Sequence, residues 1–497
     1  MYKNLSKTVL GFVLLFSMQS YGQQFLSKAL HTQVDHVQPM TGIVFWSDNT
    51  GDLNTLGDKT QLEFAYLIYS DVIEQEGVYD WSTVDNLLTK AANRGRQVIL
   101  RFRYTYPGET GRSVPLYITE ENDYTAQVVK VEGSNTYIPD WSNQTLQDFT
   151  LEFYTKFAER YDNDKRLAFL QLGFGSYSEY HLYDGPFTLG QTFPSKAFQT
   201  SFLNHVNTQF VNTQWSISID AAESDYTPIS ATTSLKDLNY GLFDDSFLHE
   251  SHSENNNEYN RSSWLFFGAT RANNSVAGGE LNYYSEWDQE HVLDIAGPYN
   301  FTYEELSEMY DITYMIGNDQ LNHQSAARIQ EAGMANGYHF EVTAFSTDGN
   351  TTKVTIKNSG IAPIYYDAYP TIDGVRSTTT LKGLIAGESR TFTINAAASG
   401  EDLTIECDRL VSGQEIQFDA DIEEEIITSL SNNSELAVYP NPTTGIVHFS
   451  QVENISVFNA LGENVISAKT DQIDLSNYSN GVYSIIIEGK AIRLIKE

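Results

Sequence analysis

Cysteine is almost missing from this chain: Cys407 is the single one in 497 residues. That excludes an intramolecular disulfide and any cysteine-based metal centre. Stability must come from buried apolar surface, and aromatic residues, at 13%, supply it. Basic residues are scarce as well. The 30 Lys and Arg stand against 65 Asp and Glu, a formal charge of −35. Such a surface repels nucleic acid and anionic membrane, whose binding needs basic patches. No segment after the N-terminus approaches the roughly 20 apolar residues of a membrane-spanning helix. No Gly-rich phosphate fingerprint follows a strand-like run, and no Ser-His-Asp nucleophile elbow is visible. His249-Glu-Ser-His252 departs from the His-Glu-x-x-His spacing of zinc helices and has no evident third ligand. Asp48-Asn-Thr-Gly-Asp52 lacks the full calcium-loop pattern. Neither a metal nor a cofactor is expected.

At the start, Lys3 and Lys7 precede the apolar run Thr8-Val-Leu-Gly-Phe-Val-Leu-Leu-Phe16, and the small residues Ser20 and Gly22 follow. This is the charge, apolar core and exit site of a secretory signal over residues 1–22. A soluble mature chain beginning near Gln23 is expected. No Cys follows the exit site, so a lipoprotein anchor is not.

From 39 to 335, apolar strand-like runs alternate with helical patterns. The runs are Gly42–Asp48, Leu62–Asp71, Gln97–Tyr104, Leu167–Phe174, Trp215–Asp220, Tyr240–Asp244, Val276–Tyr284 and Asp311–Ile316. Val84–Asn93 and Leu146–Tyr161 repeat apolar residues at helical spacing. Eight such strands alternating with helices predict a closed (β/α)8 barrel, with an open doubly wound sheet as the runner-up. From 338 to 422 short alternating strands predict a small β-sandwich with Cys407 in its core. Acidic and polar residues at 423–434 read as a linker, and a further small β domain occupies 435–497.

That last segment carries Tyr439-Pro-Asn-Pro-Thr-Thr-Gly445, Ile455-Ser-Val-Phe-Asn-Ala-Leu-Gly462, Ile473–Tyr483 and the ending Arg493-Leu-Ile-Lys496. In this order and spacing they resemble the C-terminal sorting domain of the type IX secretion system. The resemblance implies a Bacteroidetes-type bacterium and export across the outer membrane by that machinery. It also implies removal of the segment, with release or attachment at the cell surface.

In a barrel, function gathers at the C-terminal ends of the strands. After the fourth strand, Gly173-Phe-Gly-Ser-Tyr-Ser-Glu-Tyr-His181 combines turn-forming glycines, aromatics and Glu179. After the seventh, Gly278-Gly-Glu-Leu-Asn-Tyr283 places paired glycines before Glu280. Asp220 and Glu223 after strand five, and Asp244, Asp245 and Glu250 after strand six, are competing acids, Asp220 the strongest. Arg101 and Arg103 alternate on strand three and so share a face. Both are expected either to hold sulfate or carboxylate of a substrate or to form an internal ion pair. Trp46, Tyr104, Tyr106, Tyr177, Tyr180 and Tyr283 are stacking surfaces for sugars, and His181 and His249 are candidate sugar contacts.

The two carboxylates resemble those of the large barrel clan of retaining glycosidases. That clan carries its acid/base after strand four and its nucleophile after strand seven. Glu76-Gly-Val-Tyr-Asp-Trp-Ser-Thr-Val-Asp85, running to Arg94–Arg101, is similar to the clan's second-helix and third-strand region. The Gly-x-x-x-Glu-x-His pattern is similar to that of a group of bacterial glycosidase-like barrels. Where the clan has Asn-Glu, this chain has Ser178-Glu179. The resemblance spans Gly42 to Gly333 and implies Glu179 as general acid/base and Glu280 as nucleophile. The expected activity is hydrolysis of a polysaccharide, within the chain and with retention, on an anionic glycan such as a sulfated fucan or galactan if the arginines face the cleft. A non-catalytic surface glycan-binding protein and a polysaccharide lyase are the alternatives.

Overall fold

The computed structural model describes residues 25–248, 259–281, 293, 302–317, 320–425, 437–487 and 490–497. The signal segment, His249, Glu250, His252 and Tyr283 lie outside them. The chain divides into two compact units at Glu425/Ile426.

In the first unit, eight strands close a parallel barrel: β1 (Gly42–Trp46), β2 (Leu62–Ile68), β3 (Gln97–Arg103), β4 (Leu167–Leu172), β5 (Gln214–Ser218), β6 (Gly241–Phe247), β7 (Ala277–Leu281) and β8 (Tyr314–Ile316). Every stretch read as a strand becomes one. Two-residue alternation sorts their side chains. Val98, Leu100 and Phe102 face outward to the helices, while Ile99, Arg101 and Arg103 face the interior.

The helices bury their apolar stripes on the outward face. Gln144–Tyr161 starts on Asn143, whose side chain accepts from Leu146 N at 2.8 Å, satisfying one orphan N–H of the first turn. It then buries Phe149, Phe153 and Phe157 at helical spacing. Phe153 meets Phe102 of β3 edge-to-face at 4.8 Å. Phe153 is wholly buried, so Phe153→Ala would cost about 3–5 kcal/mol.

Beneath the barrel stands a module of two sheets that share one apolar cluster with the lower barrel interior. Phe340–Thr347 pairs antiparallel with Thr352–Asn358 and parallel with Phe418–Ile422. Two strands that precede the barrel, Leu26–Ser27 and Leu30–Thr32, also join this sheet, so the module is discontinuous in sequence. Cys407 is buried in its cluster. Tyr366 rises from the module to stack on Phe169 inside the barrel, 6.2 Å between centroids. Its hydroxyl donates to Ala168 O and accepts from Gln214 N.

The second unit is a five-stranded sheet over 438–496 around a small core that includes Val447, Val457, Ile485 and Leu494.

Candidate functional site

At the C-terminal ends of the strands lies a cleft of about 790 Å³. Glu179, Glu280, Asp220, Trp46, Tyr177 and His181 all line it, together with Tyr66, Tyr106, Tyr183, Glu132, Asp244 and Asp245.

Glu179 sits on a loop that folds back on itself. A Cβ at Gly173 would stand 2.0 Å from Ser178 O, and one at Gly175 would stand 2.2 Å from His181 O; only glycine fits there. Tyr177, Ser178 and Tyr180 take left-handed φ values of 56°, 64° and 64°. Such backbone is costly for residues with a side chain and collects at functional sites. The loop is held by Tyr177 N donating to Thr105 O at 3.0 Å and by Ser178 Oγ donating to Phe102 O at 3.0 Å.

Glu280 lies within β7 rather than after it, paired with Ile316 of β8. The preceding glycines are packing requirements. A Cβ at Gly278 would enter the Tyr314 ring, and one at Gly279 would meet Asp244 O at 1.9 Å.

Arg101 is the keystone of the interior. It is wholly buried and donates to Glu179 Oε1 at 2.6 Å, Asp245 Oδ2 at 2.8 Å, Gln171 Oε1 at 2.8 Å and Tyr66 Oη at 3.0 Å. Gln171 in turn donates to Tyr314 Oη at 2.7 Å. Burial first, then the neighbouring Asp245, raise the Glu179 carboxyl well above the usual carboxylate range, with Arg101 opposing and Glu280 adding to the rise.

Asp220 stands in a turn beyond β5 and accepts from or shares a proton with His181 Nδ1 at 3.0 Å. Burial raises its carboxyl, and the hydrogen bond from His181 opposes that. His181 stacks on the exposed ring of Tyr183 at 4.2 Å. Its Nε2, without a hydrogen-bond partner among the described residues, lies 3.8 Å from Glu179 Oε2. Trp46, Tyr66, Tyr106 and Tyr177 form an edge-to-face and tilted aromatic wall with successive centroids 5.1, 5.9 and 4.8 Å apart. Tyr177 Oη donates to Glu132 of the hairpin Gln127–Ile138 at 2.9 Å.

For both arginines the internal ion pair is the alternative that holds, and the expectations for two tyrosines are corrected. Arg101 presents no donor to a ligand, since its guanidinium is spent on internal partners. Arg103 pairs with Glu109, its two terminal nitrogens donating at 2.8 Å each while its Cζ lies 4.4 Å from the Tyr106 ring centroid; its Nε is buried and finds no acceptor among the described residues. Tyr104 faces outward, stacked on Tyr69 at 4.0 Å and bonded to Thr150 at 2.8 Å. Tyr180 is wholly buried against Phe174. Neither tyrosine reaches the cleft. Asp244, a competing acid, is engaged by Asn260 and by Trp264 Nε1, each at 3.1 Å. Among the described residues, no group of three or more His, Cys, Asp or Glu side chains is arranged to hold a metal.

Residues 437–497 match the family model of the secretion system C-terminal sorting domain, so the chain ends in a type IX sorting tail, the address of a secreted or cell-surface protein. No curated protein matches the chain. Among solved structures, the chain is similar to endo-glycoceramidase II from Rhodococcus sp. in its cellobiose-like imidazole complex. The identity is 11%, over 74% of this chain and 100% of that one, with a TM-score of 0.38. It is also similar to the catalytic domain of β-amylase from Paenibacillus polymyxa, at 10% identity over 60% of this chain and 99% of that one, with a TM-score of 0.35. At these scores the likeness carries nothing about chemistry.

Proposed function

We propose that the barrel is a secreted glycoside hydrolase that cleaves within polysaccharide chains with retention, Glu179 serving as general acid/base and Glu280 as nucleophile. One observation carries this reading: Glu179 is a buried carboxyl whose proton affinity burial and Asp245 raise well above the usual carboxylate range, in the same cleft as Glu280. Glycosidic cleavage needs that division of labour, one carboxyl neutral to protonate the leaving oxygen and one ionised to meet the anomeric carbon. The aromatic wall supplies faces on which sugar rings stack. The sorting tail supports a polymeric substrate met outside the cell.

Arg101 and Arg103, on which an anionic substrate depended, serve the protein's own carboxylates. Glu132, Asp220, Asp245 and Glu280 line the cleft instead. The substrate is therefore read as an uncharged glycan, and a lyase loses the free arginine it needs to neutralise a uronate.

A panel of polysaccharides, each neutral backbone beside its sulfated form, tests this with reducing-end and chain-length readout. New reducing ends are expected on a neutral polymer, at least about tenfold faster than on its sulfated partner, with the anomer first released matching that of the cleaved bond by proton NMR. Glu280→Gln is expected to abolish release. Full turnover in that variant, or a preference for sulfated polymer, would overturn the corresponding part of the reading.

A further inference from the structure

Asp245 has no role in the two-carboxylate reaction, yet it is bound into its centre. Arg101 donates to Glu179 with Nη1 and to Asp245 with Nη2. One planar guanidinium thus holds the two carboxyls beside each other. Two carboxylates can only accept, so that placement is repulsive unless one of them carries a proton. Asp245 Oδ1 is buried and receives no donor from the described residues.

Charge counting points the same way. With both acids ionised, the buried unit of Arg101, Glu179 and Asp245 carries a net negative charge beside Glu280. With one proton it is neutral. A largely buried site favours the neutral count. The other groups around Glu179 do not upset it. Tyr66 and Tyr177 are tyrosines whose hydroxyls burial keeps protonated, and His181, bound through Nδ1 to Asp220, turns Nε2 toward the other oxygen of Glu179 at 3.8 Å.

We propose that Asp245 is a positioning residue: clamped with Glu179 on Arg101, it shares a single proton with it and so keeps Glu179 loaded as the acid that faces the cleft. This rests on the reading of Glu179 as the general acid, and it adds a residue on β6 to that machinery. On leaving-group departure the Glu179 O–H bond breaks and its proton goes to the glycosidic oxygen. Asp245 then faces a second anion, a state that favours taking a proton back from the water attacking in the next half-reaction. Proton number is restored over the cycle.

The test does not require turnover. Infrared difference spectra of the whole protein, wild type minus Glu179→Gln, are recorded across a pH titration in the protonated-carboxyl stretch. The subtraction removes other acids with raised proton affinity, such as the half-buried Asp311. A carboxylic acid persisting at neutral pH is expected in wild type. In Asp245→Asn, where Arg101 faces Glu179 alone, its titration is expected to fall by at least about one pH unit. Asp245→Glu should restore it. No protonated carboxyl at neutral pH in the wild-type difference, or an unmoved titration in Asp245→Asn, overturns the proposal. If Asp245→Asn does not fold, the same titration is read in Asp245→Ala and Asp245→Ser, with the same outcomes. Turnover retained in Glu179→Gln would overturn the hydrolase assignment while leaving the shared proton intact, so the two failures are distinguishable.

Discussion

At the base of the barrel, Phe169 stacks on Tyr314 and Tyr366, and Arg409 of the two-sheet module donates to Leu167 O at 2.7 Å and Asp162 O at 3.2 Å. At the mouth, the same strands end in Arg101, Glu179, Asp245 and Glu280, with three left-handed residues in one loop. Polar side chains at the base are spent on backbone groups that the strand ends leave bare, and the effect is stability. Polar side chains at the mouth are set against one another, where each perturbs its neighbour's proton affinity. A shared scaffold thus separates the two demands by position along the strands, Arg101 and Gln171 marking the layer where one gives way to the other.

Substitutions at the two ends should therefore fail differently. Glu179→Gln is expected to lower turnover by about 10²–10⁴-fold, the worth of a general acid, with the thermal midpoint kept or raised, since a strained carboxyl is relieved. A cooperative loss of stability instead would erase the contrast. Arg409→Ala removes its bonds to Leu167 O, Asp162 O and Thr213 Oγ1, though Asp162 O keeps Thr213 Oγ1 as a donor at 2.6 Å. Losing the donor to the buried Leu167 O puts the cost at about 1–3 kcal/mol in urea unfolding, while activity per folded molecule should stay unchanged. Tyr366→Phe, which deletes the bonds to Ala168 O and Gln214 N, should cost about 1–2 kcal/mol by the same measure.

How far the sequence discloses this contrast depends on how local each determinant is. The strands are legible because alternation and apolar runs are local, and alternation correctly sets Arg101 and Arg103 on one interior face. Tyr104 could have been excluded by the same rule, being next to Arg103 and so of opposite parity, and Tyr66 could have been found, two residues beyond the interior Phe64. What Arg101 binds was out of reach, because Glu179 and Asp245 lie 78 and 144 positions away. Tyr180 misleads for another reason: left-handed backbone at 177, 178 and 180 breaks the period from which its direction would be read. Tyr183 and Glu132 reach the cleft from loops, where no period exists. The tail was legible in full, since its motifs are contiguous, and residues 437–497 match its family.

Asp311 sharpens the comparison most finely, because it carries at the base the kind of shift Glu179 carries at the mouth. It precedes β8, and its carboxyl is pushed up to about 6, first by burial and then by Glu308. Here the raised value has no chemistry to serve. An unfolded Asp loses its proton near 3.9, so between pH 4 and 6 the unfolded state ionises before the folded one. The resulting penalty on folding is absent below pH 4, grows through that window and is full above 6. Two pH units would be worth about 3 kcal/mol if wholly buried; Asp311 is only half-buried, so about 1 kcal/mol is expected. Asn tolerates the left-handed φ of 51° at this position. Asp311→Asn should therefore raise the thermal midpoint at pH 7 by about one degree, leave it unchanged at pH 4, and leave turnover untouched. An equal gain at both pH values would mean that the charge is not the cause. A loss of activity would mean that the base of the barrel is not insulated from its mouth.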